Sequence, residues 1–283
     1  MLDILILSVK EVSVRLRAND SIISIIQKNQ QKLRAIIPEL RIVQSVKDQS
    51  YHYTIELNEA SIAKLILSKN ALVYDYDIDQ FEIDSFAYTI LTNVFSQLLF
   101  ERNKLFVHAS IIDQEGIGYA LFGRGKTSSV ILLGKNEQLK IIAEDNAILD
   151  LGSLNITGNI VSYNLFKDGM KKRISHDDID IATSVTTNLK YIFYLSNQYN
   201  VEGLSKLKGF EKSSIICSFV NERLFNHSRW NNNLKMVPDF RIREGLEMKR
   251  DEAINKMIES VDVIRLESSI QNYPKLINKY LGL

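Results

Sequence analysis

The chain has 283 residues, 45% of them hydrophobic and 24% charged, with a net charge of +1. That is enough for one large domain or two modest ones with a real core, and it leaves no broad field to favour nucleic acid or an anionic membrane as partner. Cys217 is the only cysteine, which excludes an intramolecular disulfide framework and a multi-thiolate zinc site and suits a cytoplasmic, reducing setting.

The amino terminus, MLDILILSVKEVSVRLR, lacks the pattern of a signal peptide, and Met1 to Leu16 reads as a strand. A helix follows, capped by Asn19 or Ser21, with Ile22, Ile25, Ile26 and Leu33 at helical spacing and Pro38 closing it. Two strands are expected around KDQS, with Tyr51, Tyr53 and Ile55 on one face. ASIAKLILSKNALVYDYD fits helix or strand; a short helix and then a strand at Ala71 to Tyr76 is the preferred reading. DSFAYTILTNVFSQLLFERNK predicts a helix started by Asp84 or Ser85, with cations at its carboxyl end. Its uncharged stretch, Ser85 to Phe100, falls short of the roughly 18–20 apolar residues that span a bilayer, so it predicts a buried helix.

The texture then changes, and a boundary near Lys104 separates an α+β region over 1–103 from a core over 104–283. LFVHASIID, GIGYALF and LKIIAED are short apolar runs, as in strands covered on both faces, and polar groups gather at their carboxyl ends. LNITGNIVSYNLF continues as strand and turn and NLKYIFYLS as a strand. DEAINKMIES, VDVIRLES and SSIQNYPKLINKYL read as helix, strand and closing helix. The fold class expected is α/β, a core of mixed sheet with flanking helices behind a smaller α+β region.

Within the core, GYALFGRGKTSSVILL, Gly118 to Leu133, reads as a strand, a glycine turn and a helix start. A phosphate loop has this order, because N–H groups converge on phosphate oxygens at a helix amino terminus, lysine neutralises charge and the next hydroxyl ligates Mg²⁺. The full spacing G-x-x-x-x-G-K-[ST] is not met, since Ala120 stands where the leading glycine belongs. Two registers fit: Ala120 to Thr127 as a full loop without its first glycine, or a loop led by Gly123 and three residues shorter. Apolar continuity through Phe122 favours the second. Arg124 either adds a second cation or faces solvent.

His108-Ala109-Ser110, Gly116, Gly118, Gly123, Gly125-Lys126-Thr127 and Glu144-Asp145 fall in an order that resembles the core of the HPr kinase/phosphorylase-like P-loop family, over about Ser96 to Leu149. The resemblance implies an HPr kinase-like nucleotide-binding core using ATP and Mg²⁺. Gly123, Arg124, Gly125, Lys126, Thr127 and Ser128 would bind the phosphates, and Thr127 and Asp145 the metal. Glu144 would activate an acceptor hydroxyl, and His108 would tune the acidic pair. The activity implied is transfer of a phosphoryl group to a hydroxyl of a peptide, protein or small-molecule acceptor, with self-assembly into a homo-oligomer as a further option. The alternative is a catalytically degenerate relative acting as a binding or scaffold partner. Glu144 stands where the family's pair begins with Asp, and no second HPr kinase signature follows, which argues against HPr itself as substrate.

Each residue also has a plainer reading. His108 suits a strand end with a main-chain partner, Glu144-Asp145 a strand-ending turn, and Asp113 a turn. His176, Asp177 and Asp178 are metal-ligand types in a polar stretch that reads as a solvated loop. Arg223, Phe225, His227, Arg229, Trp230 and Lys235 read as a helix surface or oligomer contact, or as cations and rings for an acceptor peptide or base.

Overall fold

Why the amino-terminal apolar run makes two strands rather than one is visible at Lys10, whose φ of +52° turns the chain without a Gly or Pro. The computed structural model of the chain describes residues 3–44, 50–60, 64–76, 81–136, 138–158, 183–198, 201–224 and 241–283, with 162–167 and 170–175 described in backbone only. These form two units, Met1–Arg102 with Arg223–Leu246, and Asn103–Glu222 with Glu247–Leu283.

In the first unit, β1 (Asp3–Val9) and β2 (Val12–Ala18) pair antiparallel, and β2 buries every second residue. Asn19 caps α1 (Asp20–Lys28), accepting from the Ile22 N–H at 3.0 Å. The chain breaks at Asn29 before α2 (Gln30–Ile36), so the single helix expected is two. Next come β3 (Arg41–Gln44), β4 (Tyr53–Glu59), β5 (Lys64–Leu67) and β6 (Ala71–Tyr76), in the sheet order β3-β1-β2-β4-β6-β5 with β2, β4 and β6 parallel. Tyr53 and Ile55 are buried as expected, but Tyr51 precedes the strand and lies under the Arg15 guanidinium, 3.9 Å from its ring centre. The helix preferred before Ala71 is strand β5. Ser68 closes a turn with Ala71, and antiparallel pairing to β6 overrides the ambiguous local pattern.

The long helix runs as α3 (Ile83–Phe86), a π-type turn (Ala87–Leu91) and α4 (Thr92–Phe100). Thr92 Oγ1 donates to the Ala87 carbonyl at 2.7 Å across the widened turn. All nine residues of α4 are buried, and Arg102 donates to the Leu98 carbonyl at 3.2 Å, the cationic finish expected. Among the described residues no helix is long and apolar enough to cross a membrane.

The second unit begins with β7 (Lys104–Val107), β8 (Ser110–Gln114), β9 (Ile117–Gly123), α5 (Lys126–Leu133), β10 (Lys140–Ala143), β11 (Ala147–Asp150) and β12 (Asn155–Gly158). It continues with a separate hairpin of β13 (Ser162–Lys167) and β14 (Met170–Ser175), then β15 (Thr186–Asn197) and β16 (Gly203–Lys206). α6 (Gly209–Leu224), α7 (Leu246–Ser260), β17 (Asp262–Ser268) and α8 (Tyr273–Leu281) complete the chain. The main sheet runs β10-β8-β9-β15-β12-β11-β7, with β17 parallel to β15 and β16 antiparallel to β17. Val130 and Ile131 of α5 and Tyr273, Leu276 and Ile277 of α8 bury one face, with Tyr119, Leu121, Phe193, Leu195, Ile264 and Leu266 beneath them. On the opposite strand parity Phe122 meets Phe219 of α6 edge to face at 5.4 Å. The architecture is α/β, with mixed sheets and flanking helices.

One feature positions the site. Ala143 stands opposite Ile111 and Ala147 opposite Val107, four residues further along each strand in the same antiparallel register. β7–β8 and β11–β10 are therefore one ribbon, bent where His108-Ala109 faces Glu144-Asp145-Asn146, and its two halves supply the two ends of the sheet order. Strands change sheet position through such bends and bulges.

Candidate functional site

The glycine turn comes first. β9 stays in the ladder through Gly123, with Ala120 paired to Ile111 and Ile192, and α5 begins at Lys126. Only Arg124 and Gly125 lie between them, so the chain takes the shorter register. Both glycines are required locally. Gly123 has φ +112° and a Cβ there would lie 2.7 Å from the Leu195 carbonyl oxygen; Gly125 has φ +86° and its Cβ would lie 2.8 Å from Ile270 Cγ2.

Gly125 caps α5 without a side chain, and the first N–H to return into the helix is that of Ser129, to the Gly125 carbonyl at 3.0 Å. The N–H groups of Lys126, Thr127 and Ser128 thus stand at the positive end of the helix, where the geometry gives them no intrahelical acceptor. Thr127 and Ser128 are half-buried, Arg124 is exposed, and Lys126 is buried.

Lys126 turns to the bend of the ribbon. Its Nζ lies 2.5 Å from Asp145 Oδ1 and 3.3 Å from the Asp145 carbonyl oxygen. The same Oδ1 lies 2.9 Å from His108 Nε2, and Asn146 donates to Asp145 Oδ2 at 3.3 Å. On the far side of the ring, His108 Nδ1 lies 2.8 Å from Glu222 Oε1, in the last turn of α6. Lys126, Asp145, His108 and Glu222 form one line of alternating charge types, nearly buried at the lysine and imidazole and opening to solvent at Glu222. Filling both imidazole contacts takes a hydrogen on each ring nitrogen, or one carried by a carboxyl.

The bend therefore brings together three of the residues singled out from sequence, His108, Asp145 and Lys126. Glu144 is buried beside them, and its main-chain oxygen accepts from the Ser110 hydroxyl. Asp113 is buried in β8, bonded by the Thr187 hydroxyl, and is not a turn residue. Arg223 is buried at the end of α6, with its guanidinium 5.9 Å from the Tyr88 ring centre. His176, Asp177, Asp178, Phe225, His227, Arg229, Trp230 and Lys235 lie outside the described residues. Glu222 was not singled out. Its signal was a carboxylate three residues after the buried Phe219, on the inward side of an amphipathic helix.

The donor set fits a phosphoryl group in kind: three helix-terminal N–H groups, an ammonium and the Thr127 hydroxyl. The two-residue turn offers fewer N–H groups than a full-length loop, and Ile270 fills the space against Gly125. A metal cage held by protein alone does not fit. Among the described residues no three His, Cys, Asp or Glu side chains group around a cation position, and Asp145 Oδ1 already faces Lys126 and His108. A Mg²⁺ ion would come in on phosphate oxygens and water, with Thr127 as its hydroxyl ligand and Asp145 available only as Lys126 moves away.

No protein-family model matches the chain, and no curated protein matches it in sequence. Among solved structures, the HPr(Ser) kinase/phosphatase from Coxiella burnetii is similar over 62% of this chain and 93% of that chain, at 11% identity and a TM-score of 0.33. A superposition that loose fixes no residue equivalences.

Proposed function

We propose that the chain is an HPr kinase-like phosphotransferase that moves a phosphoryl group to a hydroxyl of a peptide, protein or small molecule. The observation that carries this reading is the Lys126 ammonium at the start of α5, 2.5 Å from Asp145, with His108 behind the carboxylate. Phosphoryl transfer asks mainly for positioning, positive charge and a base within reach of the nucleophile. ATP with Mg²⁺ would supply the phosphoryl group. Lys126 and the N–H groups of Lys126 to Ser128 would hold its phosphates, and Thr127 would ligate the metal. Lys126 would exchange Asp145 for phosphate oxygen, which turns the Asp145 carboxylate toward an incoming hydroxyl as its proton acceptor. Glu144, to which the resemblance gives the proton-acceptor role, is buried beside Asp145; the role passes to Asp145 here because that is the carboxylate Lys126 and His108 hold. His108 orients Asp145.

A second reading, a degenerate relative that binds partners, is favoured by one observation: the turn is short and packed against Ile270. Calorimetry with ATP and with ADP, each with Mg²⁺, separates the two. Binding heat, with γ-phosphate transfer that Lys126→Ala abolishes, supports the phosphotransferase. Undiminished turnover in Lys126→Ala sinks the site assignment, and no heat or thermal shift with either nucleotide leaves the scaffold reading.

A further inference from the structure

We infer that Glu222 is a positioning residue for the Asp145 carboxylate and acts through His108. This rests on the reading of Asp145 as the working carboxylate. Glu222 reaches the ring that holds Asp145. Each nitrogen of His108 lies against a carboxylate oxygen, at 2.9 Å on the Asp145 side and 2.8 Å on the Glu222 side. An imidazole fixed at both ends cannot flip or tilt without losing a charge-assisted contact.

The placement of Glu222 argues against an incidental contact. It belongs to α6, whose neighbouring residues Phe219, Val220, Arg223 and Leu224 are buried, so the backbone that carries its carboxylate is held in place. The His108 contact, at 2.8 Å, joins it to the imidazole from 114 residues away in the chain. The ring itself is 9% exposed, so solvent offers little replacement for the Glu222 acceptor.

The need for it arises when Lys126 engages phosphate. Asp145 then gives up its 2.5 Å contact with Lys126, and its contacts with His108 and Asn146 carry more of the hold on the carboxylate. Without Glu222 the imidazole loses its Nδ1 contact, and the carboxylate loses part of its orientation at the stage where it must meet the hydroxyl. Ground-state nucleotide binding, which uses Lys126 and the helix terminus, is left in place.

The test uses the full-length chain with Glu222→Ala and the near-isosteric Glu222→Gln. The first readout is the imidazole ¹⁵N spectrum of histidine-labelled protein, with the His108 signals assigned from His108→Asn among the four histidines. The expected result is a displaced Nδ1 signal in Glu222→Ala and a smaller displacement in Glu222→Gln, which keeps an oxygen acceptor. The second readout is phosphate release from ATP with Mg²⁺: kcat should fall about 10- to 100-fold in Glu222→Ala, as outer partners of site ligands do, with KM for ATP little changed and partial rescue by Gln. His108 signals unmoved in both variants overturn the inference, as does an unchanged kcat in Glu222→Ala. If the wild-type chain neither binds nor turns over ATP, the phosphotransferase reading fails, while the ¹⁵N spectra still decide whether Glu222 holds His108.

Discussion

The two units bury polar groups in different ways. In the first, Thr92, Asn93, Ser96 and Gln97 gather on one helix and are neutral, although Arg223 is buried as well. Gln97 Oε1 accepts from the N–H groups of Ile242 and Arg243 at 2.9 and 3.3 Å, Ser96 donates to the Arg223 carbonyl at 2.9 Å, and the Gln97 amide donates to Asn93. These side chains stand in for a ladder, satisfying main-chain groups of Arg223, Ile242 and Arg243. In the second unit, apart from the Asp113–Thr187 pair, the ionisable groups His108, Glu144, Asp145 and Lys126 come together at a strand bend. Amides and hydroxyls that serve main chain answer a folding need. Charged groups stacked side by side carry a desolvation cost that backbone pairing did not require, and under the proposed function that cost is borne by the site.

That contrast can be broken at several points. The largest effect is expected from Lys126→Ala, which removes the one buried cation from the line and should weaken ATP binding by about 100-fold, worth about 2.7 kcal/mol, in calorimetry. Next, Gln97→Leu keeps volume but leaves the Ile242 N–H without its acceptor; chemical denaturation should show a loss of about 2–3 kcal/mol with ATP affinity intact. A shared loss of affinity would erase the distinction between anchoring and working polar groups. Gly125→Ala adds a Cβ against Ile270 at a φ of +86° and should cost about 1–2 kcal/mol. Adding Ile270→Ala should recover the steric part alone, as a double-mutant cycle will measure.

The smallest effect concerns pH. The main-chain N–H of Ser153, with Lys104 assisting, holds the Asp150 carboxyl below its ordinary value. Stability from this group is therefore complete above the ordinary carboxylate range and lost as pH falls through the lowered value. Asp150 is partly exposed, so the contribution is screened to under about 1 kcal/mol. Asp150→Asn should flatten the acid limb of a melting-temperature profile and leave it unchanged near neutrality apart from that loss. Tyr119 and Tyr273, pushed up to about 12 by burial, stay protonated throughout and add nothing to such a profile.

Much of this was legible in the residues. The strand Ala71 to Tyr76, the buried helix before Lys104, the strands containing NLKYIFYLS and VDVIRLES, and the strand–turn–helix around Gly125 all carry strong periodicity or a marked glycine. The break at Asn29 and the reversal at Lys10 did not show, because neither uses a residue that demands a turn. β14 and β16 were hidden in polar composition, and α6 went unread although Ile216, Phe219 and Val220 form its inward stripe. LFVHASIID looked like one strand and is two, since nothing in His108-Ala109 signals that the ribbon changes course there. The site followed the same rule. Lys126, Asp145 and His108 lie within a stretch of chain that sequence order can relate, whereas Glu222 arrives from 114 residues beyond His108 and only the folded chain brings it there.

The bend in the ribbon has a consequence for how such a chain can change. Ladder pairing resumes on both sides of it, at Ala143 with Ile111 next to a register shift at Ile142, and at Ala147 with Val107. The residues between have no ladder partner of their own, and His108, Ala109, Glu144 and Asn146 are nonetheless buried. A substitution there leaves the paired backbone on either side in register and is felt instead through side-chain packing, so the bend can vary in chemistry only among groups that fill the same space.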